Sequence, residues 1–241
     1  MGVAGMSNLS VASYGSISSL DENLAAQIID VLVAAIAERG EASLVVSGGS
    51  SPIGFFQCLS RFDIAWQRVS IWLADERWVS AQDEQSNQKL VHTHLLQNFA
   101  AKARFMPLAG EHFSSGGSAE HTALGLQQTY EHQSAFDLVI LFFDVAANTA
   151  GSQELVTGLD AASDTHCVAA QAPTAPPQRI SMTLARLINA RQIYLHVTGQ
   201  EKVAVLLDAW RNNDPHNQPI ASFLHQGSVP VRVFIDQVFQ F

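Results

Sequence analysis

The feature that most constrains the fold of this chain is an almost uninterrupted apolar run at residues 136–143. A strand without a polar side is typical of a parallel sheet that is covered on both faces. Other apolar runs alternate with helix-like segments and predict further strands at residues 43–47, 69–74, 192–197 and 231–236. This alternation predicts an α/β class, with a Rossmann-like, open, mostly parallel sheet and helices on both faces.

The predicted helices are marked by apolar periodicity and by capping residues. A capping box at residues 19–22 predicts the start of the first helix, and Gly40 its end. Ser86 is a candidate N-cap for a helix at residues 87–98. Further helices are predicted at residues 52–60, 119–132 and 200–210. Because no repeat or linker divides the chain, residues 1–241 are predicted to form one domain, with 1–18 as an irregular or edge segment.

Composition narrows the possible partners. The chain is 47% hydrophobic and 15% charged, which is typical of a globular protein, and its formal charge of −9 argues against nucleic-acid and anionic-membrane partners. Cys58 and Cys167 have no spacing typical of a disulfide framework or a zinc site. The first twenty residues lack Lys and Arg, so they do not resemble a signal peptide. We expect a cytoplasmic monomer or homodimer that binds no metal.

A glycine turn follows the strand predicted at residues 43–47. It reads Ser47-Gly48-Gly49-Ser50-Ser51-Pro52 and leads into a predicted helix. Glycines let the backbone approach an anion closely, and the N–H groups at a helix start can donate to that anion. The turn therefore indicates a site for a phosphorylated small molecule, although an ordinary surface turn has the same composition.

Charged side chains follow two other predicted strands. Asp75-Glu76-Arg77-Trp78 comes directly after residues 69–74, and Thr198-Gly199-Gln200-Glu201-Lys202 follows residues 192–197. Ligands of open α/β sheets bind beyond the carboxyl ends of the strands, so these groups are predicted to meet the glycine turn. Taken singly, each segment is also compatible with a solvated loop of local ion pairs or with an ordinary surface lysine.

In order and spacing, these segments resemble the 6-phosphogluconolactonase family, whose superfamily includes glucosamine-6-phosphate isomerases. The resemblance extends from about residue 20 to the C-terminus and includes Asp83, Ser86-Asn87, Pro176-Pro177-Gln178-Arg179-Ile180-Ser181-Met182-Thr183 and Val233-Phe234-Ile235-Asp236. It implies a Rossmann-like fold, no cofactor, and hydrolysis of 6-phospho-D-glucono-1,5-lactone to 6-phosphogluconate in the pentose phosphate pathway. The partner is then a phosphorylated sugar lactone or acid.

The resemblance also implies roles for individual residues. Asp75 and Arg77 are the implied catalytic residues that line the sugar site. The implied ligands of the 6-phosphate are the residues of the glycine turn and two cations from later in the chain, namely Ser47, Gly48, Gly49, Ser50, Arg179 and Lys202.

The chain departs from the family pattern after residues 136–141. Without gaps, the His that the family uses as general base aligns with Asn148, and the neighbouring Asp aligns with Ala146. An Asn side chain cannot take up a proton at neutral pH, although it can orient water or donate to an oxyanion. No other His lies between His132 and His166, so a shifted alignment does not restore the base. Asp144 is a candidate substitute.

Other residues near this segment have plainer interpretations. Phe142 and Phe143 either fill part of the pocket or extend the buried strand. The histidines His92, His94, His166 and His196 are interpreted as packing or surface residues. Three hypotheses remain: a weakly active lactonase, a non-catalytic phosphosugar-binding relative with a regulatory or scaffolding role, and a chain whose catalytic loop has been altered while its fold persists.

Overall fold

A computed structural model describes residues 8–49, 52–109, 116–143, 158–171 and 176–237. The strands in these ranges are β1 (Leu9–Ser13), β2 (Ala42–Val46), β3 (Val69–Leu73), β4 (Asp75–Arg77), β5 (Arg104–Met106), β6 (Leu138–Phe142), β7 (Cys167–Gln171), β8 (Gln178–Met182), β9 (Ile193–Val197) and β10 (Val231–Ile235). The helices are α1 (Ile17–Arg39), α2 (Ile53–Leu59), α3 (Asn87–His94), α4 (Ala119–Glu131), α5 (Leu184–Ile188), α6 (Gln200–Asn212) and α7 (Ile220–His225).

Seven strands form one parallel sheet in the order β1-β10-β9-β6-β2-β3-β5. Every residue of β2 and of β9 is buried, as expected for central strands that are covered on both faces. The apolar run at residues 136–143 supplies β6, which lies between these two strands. The predicted α/β class with a mostly parallel sheet is therefore confirmed.

A second sheet was not predicted. It is antiparallel, with the order β4-β8-β7. A strand was expected at Cys167-Val168, which lies in β7, but β4 and β8 gave no apolar run, since they read Asp-Glu-Arg and Gln-Arg-Ile-Ser-Met. One residue separates β4 from β3, so this small sheet begins at the carboxyl end of the parallel sheet.

The helix boundaries show which local signals decided them. The prediction that α1 starts at residues 19–22 was wrong: Ser16 is the N-cap, and its hydroxyl accepts from the Ser19 backbone N–H at 3.2 Å. The predicted end was right, because Gly40 adopts φ +83°, a left-handed conformation that glycine tolerates. Ser86 caps α3 as predicted, through the Lys89 N–H. This helix ends at His94, four residues earlier than predicted.

A buried carboxylate joins α1 to the sheet. Asp137 is 5% exposed and accepts from the Arg39 guanidinium at 2.6 Å and from the Ser43 backbone N–H at 2.8 Å. The Arg191 guanidinium lies 3.4 Å from the same carboxylate. The amino ends of β2 and β6 are thus held against the last turn of α1. In the described part of the chain, no helix is long and apolar enough to cross a membrane.

We predict that Asp137→Ala lowers the free energy of unfolding by about 3 kcal/mol, because it removes the buried partner of Arg39 and leaves the Ser43 N–H without its acceptor. Urea denaturation measures this change. The control is Glu41→Ala, since Glu41 pairs with Arg104 at the surface and both side chains are more than half exposed. That variant is expected to change stability by less than about 1 kcal/mol. Equal effects of the two variants would contradict the assigned role of Asp137.

Candidate functional site

The candidate site lies at the carboxyl edge of the parallel sheet. The glycine turn follows β2, the short strand β4 follows β3, and the Lys202 segment follows β9. The small antiparallel sheet adds Arg179 from β8. Segments far apart in sequence therefore lie at the edge where open α/β sheets bind their ligands.

The glycine turn is fixed by contacts on both sides. The Ser47 hydroxyl accepts from the Phe142 backbone N–H at 2.9 Å, which ties the ends of β2 and β6 together. A Cβ added to Gly48 would overlap the Asn87 side-chain amide, so only glycine fits there. Gly49 has φ +112°, a conformation that L side chains rarely adopt. Ser50 lies outside the described residues.

Two arginines lie side by side in the small sheet. Arg77 of β4 is paired directly with Arg179 of β8, so both side chains project from the same face of the sheet. Asp75, two residues before Arg77, shares that face, and its carboxylate lies 3.5 Å from an Nη of Arg179. The Nε atoms of both arginines are buried without a hydrogen-bond partner among the described residues. Two neighbouring guanidinium groups, of which only Arg179 is paired with a carboxylate in the described part of the chain, favour an anionic ligand.

Lys202 occupies the first turn of α6, as predicted. The residue before this helix, Gly199, has φ +90°, and its N–H donates to the Asp236 carboxylate at 3.0 and 3.2 Å. Asp236 thereby places a negative charge at the N-terminus of α6, where the helix dipole stabilises it. Lys202 follows β9, which is separated from β2 by β6. Asn87 joins Gly48, Asp75 and Arg77 through its side-chain amide. Lys202 lies at the start of the helix that follows a different strand, β9.

The segment that breaks the family pattern is only partly described. Asn148 and Asp144 lie outside the described residues. Phe142 is the last residue of β6 and is 8% exposed, with its ring packed against Phe55, Phe56 and His196. Of the two interpretations of Phe142, extension of the buried strand therefore fits.

His196 is a core residue, in keeping with its interpretation as a packing residue. Its side chain is 1% exposed, and its Nε2 lies 2.9 Å from the Asp21 carboxylate. It also packs near the Phe55 and Phe142 rings. This burial separates the imidazole from solvent.

Sequence reasoning missed Glu76, a buried residue whose carboxylate connects β4 to the start of α3. This side chain is 2% exposed, and one carboxylate oxygen accepts from the backbone N–H groups of Arg77 and Asn87, each at 2.8 Å. The other oxygen accepts from the Gln88 N–H at 2.7 Å and from the Ser86 hydroxyl at 3.1 Å. Burial raises the pKa of Glu76, and the backbone hydrogen bonds oppose that rise. The sequence offered one signal: an acidic residue at a strand end, ten residues before the helix N-cap Ser86.

We predict that Glu76→Gln becomes more stable relative to the parent protein as the pH rises from about 4 to 7. Because the folded-state pKa is raised, the native protein holds a proton on Glu76 that the unfolded chain has lost. This bound proton stabilises the native parent protein at pH values below the pKa that Glu76 has in the unfolded chain. The stabilisation is lost as the pH rises through the pKa that Glu76 has in the folded protein. The Gln variant does not titrate at this position. Urea denaturation across this pH range measures the difference.

The control for the Glu76 variant is Glu84→Gln, because the Glu84 side chain is 90% exposed and pairs with Lys89. The difference in unfolding free energy between Glu76→Gln and the parent could instead stay constant with pH or shift in favour of the parent. Either result would show that the four hydrogen bonds lower the pKa of Glu76 at least as much as desolvation raises it.

Comparison with known proteins supports this architecture independently. The sequence model of the family described as glucosamine-6-phosphate isomerases/6-phosphogluconolactonase matches residues 16–231. The chain is 38% identical over 211 residues to a 6-phosphogluconolactonase of Pseudomonas putida, covering 86% of both chains. It is 35% identical over 222 residues to one of Rhizobium meliloti, covering 90% of this chain and 94% of the relative.

A solved structure agrees with these relationships. The crystal structure of a 6-phosphogluconolactonase from Shewanella baltica superposes with a TM-score of 0.87 at 38% identity, covering 96% of this chain and 99% of that one. The resemblance inferred from the strand-end motifs is thus confirmed over almost the whole fold. This chain belongs to the glucosamine-6-phosphate isomerase/6-phosphogluconolactonase family.

Proposed function

We propose that the protein binds 6-phospho-D-glucono-1,5-lactone and hydrolyses it to 6-phosphogluconate. The observation that carries this proposal is the pair of adjacent guanidinium groups, Arg77 and Arg179, at the carboxyl edge that also holds the glycine turn. This arrangement supplies local positive charge in a chain whose net charge is −9. Relatives at 35–38% identity that carry the name 6-phosphogluconolactonase support the choice of substrate.

We assign the phosphate to the part of the site formed by the backbone N–H groups of the glycine turn and by two cationic side chains. Gly48 and Gly49 offer N–H groups close to the ligand, and the Ser47 hydroxyl, which accepts from Phe142, keeps its own hydrogen for donation. Ser50 completes the turn in this proposal. Arg179 and Lys202 supply the opposing charge.

The lactone ring is assigned to Asp75 and Arg77. Attack of water on the lactone carbonyl develops negative charge on its oxygen, and Arg77 is the group proposed to stabilise that oxyanion. The proton of the attacking water needs an acceptor, which Asn148 cannot be. Asp144 remains a candidate base from sequence alone. We therefore propose that the substrate-binding site is intact and that hydrolysis of the bound lactone is slow.

The binding half of this proposal is tested by calorimetry. We predict that the protein binds 6-phosphogluconate and that Arg179→Ala weakens binding by at least about 10-fold, through loss of a charge-assisted contact. Arg104→Ala is the matched control, because Arg104 pairs with Glu41 on the surface and lies on β5 at the edge of the sheet. The absence of any phosphate-dependent heat with the parent protein would overturn the proposal.

The catalytic half is tested by comparison with the Pseudomonas putida relative under identical conditions. We predict a rate about 10²–10⁴-fold lower for this chain, which is the usual effect of losing a general base. A control without enzyme at the same pH is essential, because the lactone also opens spontaneously. A rate equal to that of the relative would show that another residue acts as the base.

The second candidate function is binding without catalysis, in a regulatory or scaffolding role. The observation that favours it is Asn148 at the position of the family's general base. Binding of 6-phosphogluconate, together with a hydrolysis rate equal to the control without enzyme, would select this alternative.

A further inference from the structure

A buried amide joins three parts of the candidate site. Asn87 is the first residue of α3 and is 1% exposed. Its Nδ2 donates to the Asp75 backbone carbonyl at 2.9 Å, and its Oδ1 accepts from an Nη of Arg77 at 3.0 Å. Its own backbone N–H donates to Glu76 at 2.8 Å. Both ends of the side-chain amide are thus used, one by the β4 backbone and one by the Arg77 side chain.

The same amide sets the position of the glycine turn. It lies so close to Gly48 that any Cβ at that position would overlap it. Close packing of this kind has no room for sliding, because moving the amide toward β2 creates a clash and moving it away leaves a void. The distance between the turn and Arg77 is therefore fixed through Asn87.

We propose that Asn87 is a positioning residue that aims the Arg77 guanidinium at a ligand held by the glycine turn. The inference rests on the proposed phosphosugar site. Arg77 has a second acceptor, the Gln85 carbonyl at 2.8 Å, on the same Nη, and its Nε has no partner among the described residues. Without the Asn87 oxygen, the Gln85 carbonyl is the one acceptor of Arg77 that remains among the residues that the structure describes. The guanidinium then still lies beside the like charge of Arg179.

The chemistry of an amide suits this role better than that of a carboxylate. A neutral oxygen orients the guanidinium without neutralising it, so the full charge of Arg77 remains available to an anionic ligand. An Asp at position 87 would pair with Arg77 as a counter-ion and would lose the hydrogen that the Asp75 carbonyl accepts. The side chain at this position therefore controls the charge presented to the ligand as well as its direction.

The test is a double-mutant cycle on the affinity for 6-phosphogluconate, measured by calorimetry on the full chain. Asn87→Ala is expected to weaken binding by about 10-fold, and Arg77→Ala by at least as much. If Asn87 acts through Arg77, the double variant binds no more weakly than Arg77→Ala alone. Asn87→Asp, which keeps the shape of the side chain, is also expected to weaken binding by about 10-fold.

Two stability measurements separate positioning from general loosening. Asp137→Ala changes a residue at the amino ends of β2 and β6, the opposite edge of the sheet from the site, and is expected to lower the Tm while leaving affinity unchanged. Gly48→Ala is expected to lower the Tm markedly in the parent and less in the Asn87→Ala background, because the clash with the amide is then relieved. These melting curves require no ligand.

The outcomes separate the inference from the proposed function. Additive losses of affinity for Asn87→Ala and Arg77→Ala, or parental affinity in Asn87→Ala or Asn87→Asp, would overturn the positioning role. If the parent protein binds no 6-phosphogluconate, the proposed function fails. The inference is then decided by the same cycle of Asn87→Ala and Arg77→Ala, measured on the free energy of unfolding by urea denaturation. In that case, measurable coupling supports the contact and independent effects overturn it.

Discussion

The buried carboxylate of Glu76 is the interaction on which the arrangement of the site depends. It accepts four hydrogen bonds, one from β4 and three from residues at the start of α3. Removing such a charge from water is costly, and the raised pKa reflects that cost. In return, β4 and α3 are fixed relative to one another, so that Asn87 can contact Arg77 and Gly48 together.

The site belongs to two sheets, and each contributes a different kind of group. The glycine turn and the Lys202 segment follow strands of the parallel sheet. The antiparallel sheet contributes Arg77 and Arg179 as a directly opposed pair. Because only one residue separates β4 from β3, the second sheet holds its arginines at the carboxyl edge of the first. An acidic protein can therefore present concentrated positive charge at one place.

The sequence predicted those parts of the fold that depend on local patterns. Continuous apolar runs identified the central strands, and Ser86 and Gly40 marked helix boundaries correctly because each acts on its own helix. The positions of the glycine turn, Asp75 and Arg77 followed from a general property of parallel sheets.

The parts that could not be predicted depend on contacts between distant segments. In the sequence, Glu76 is indistinguishable from a charged loop residue, and only the fold shows that it is buried against α3. The role of Asn87 depends on its contact with Gly48, which the sequence does not reveal. The small sheet was missed because two of its strands, β4 and β8, are short and rich in polar residues. The roles of Asn148 and Asp144 remain predictions from sequence.

The central claim is that the protein keeps a binding site for a phosphosugar but lacks the group that deprotonates water. A crystal structure of the protein with 6-phosphogluconate tests it most directly. The account predicts the phosphate between the turn at Gly48 and the cations Arg179 and Lys202, with Arg77 near C1. It predicts no imidazole, and no carboxylate from residues 144–157, within hydrogen-bond reach of that carbon's oxygens. A phosphate bound elsewhere, or an ionisable base from residues 144–157 beside C1, would contradict it.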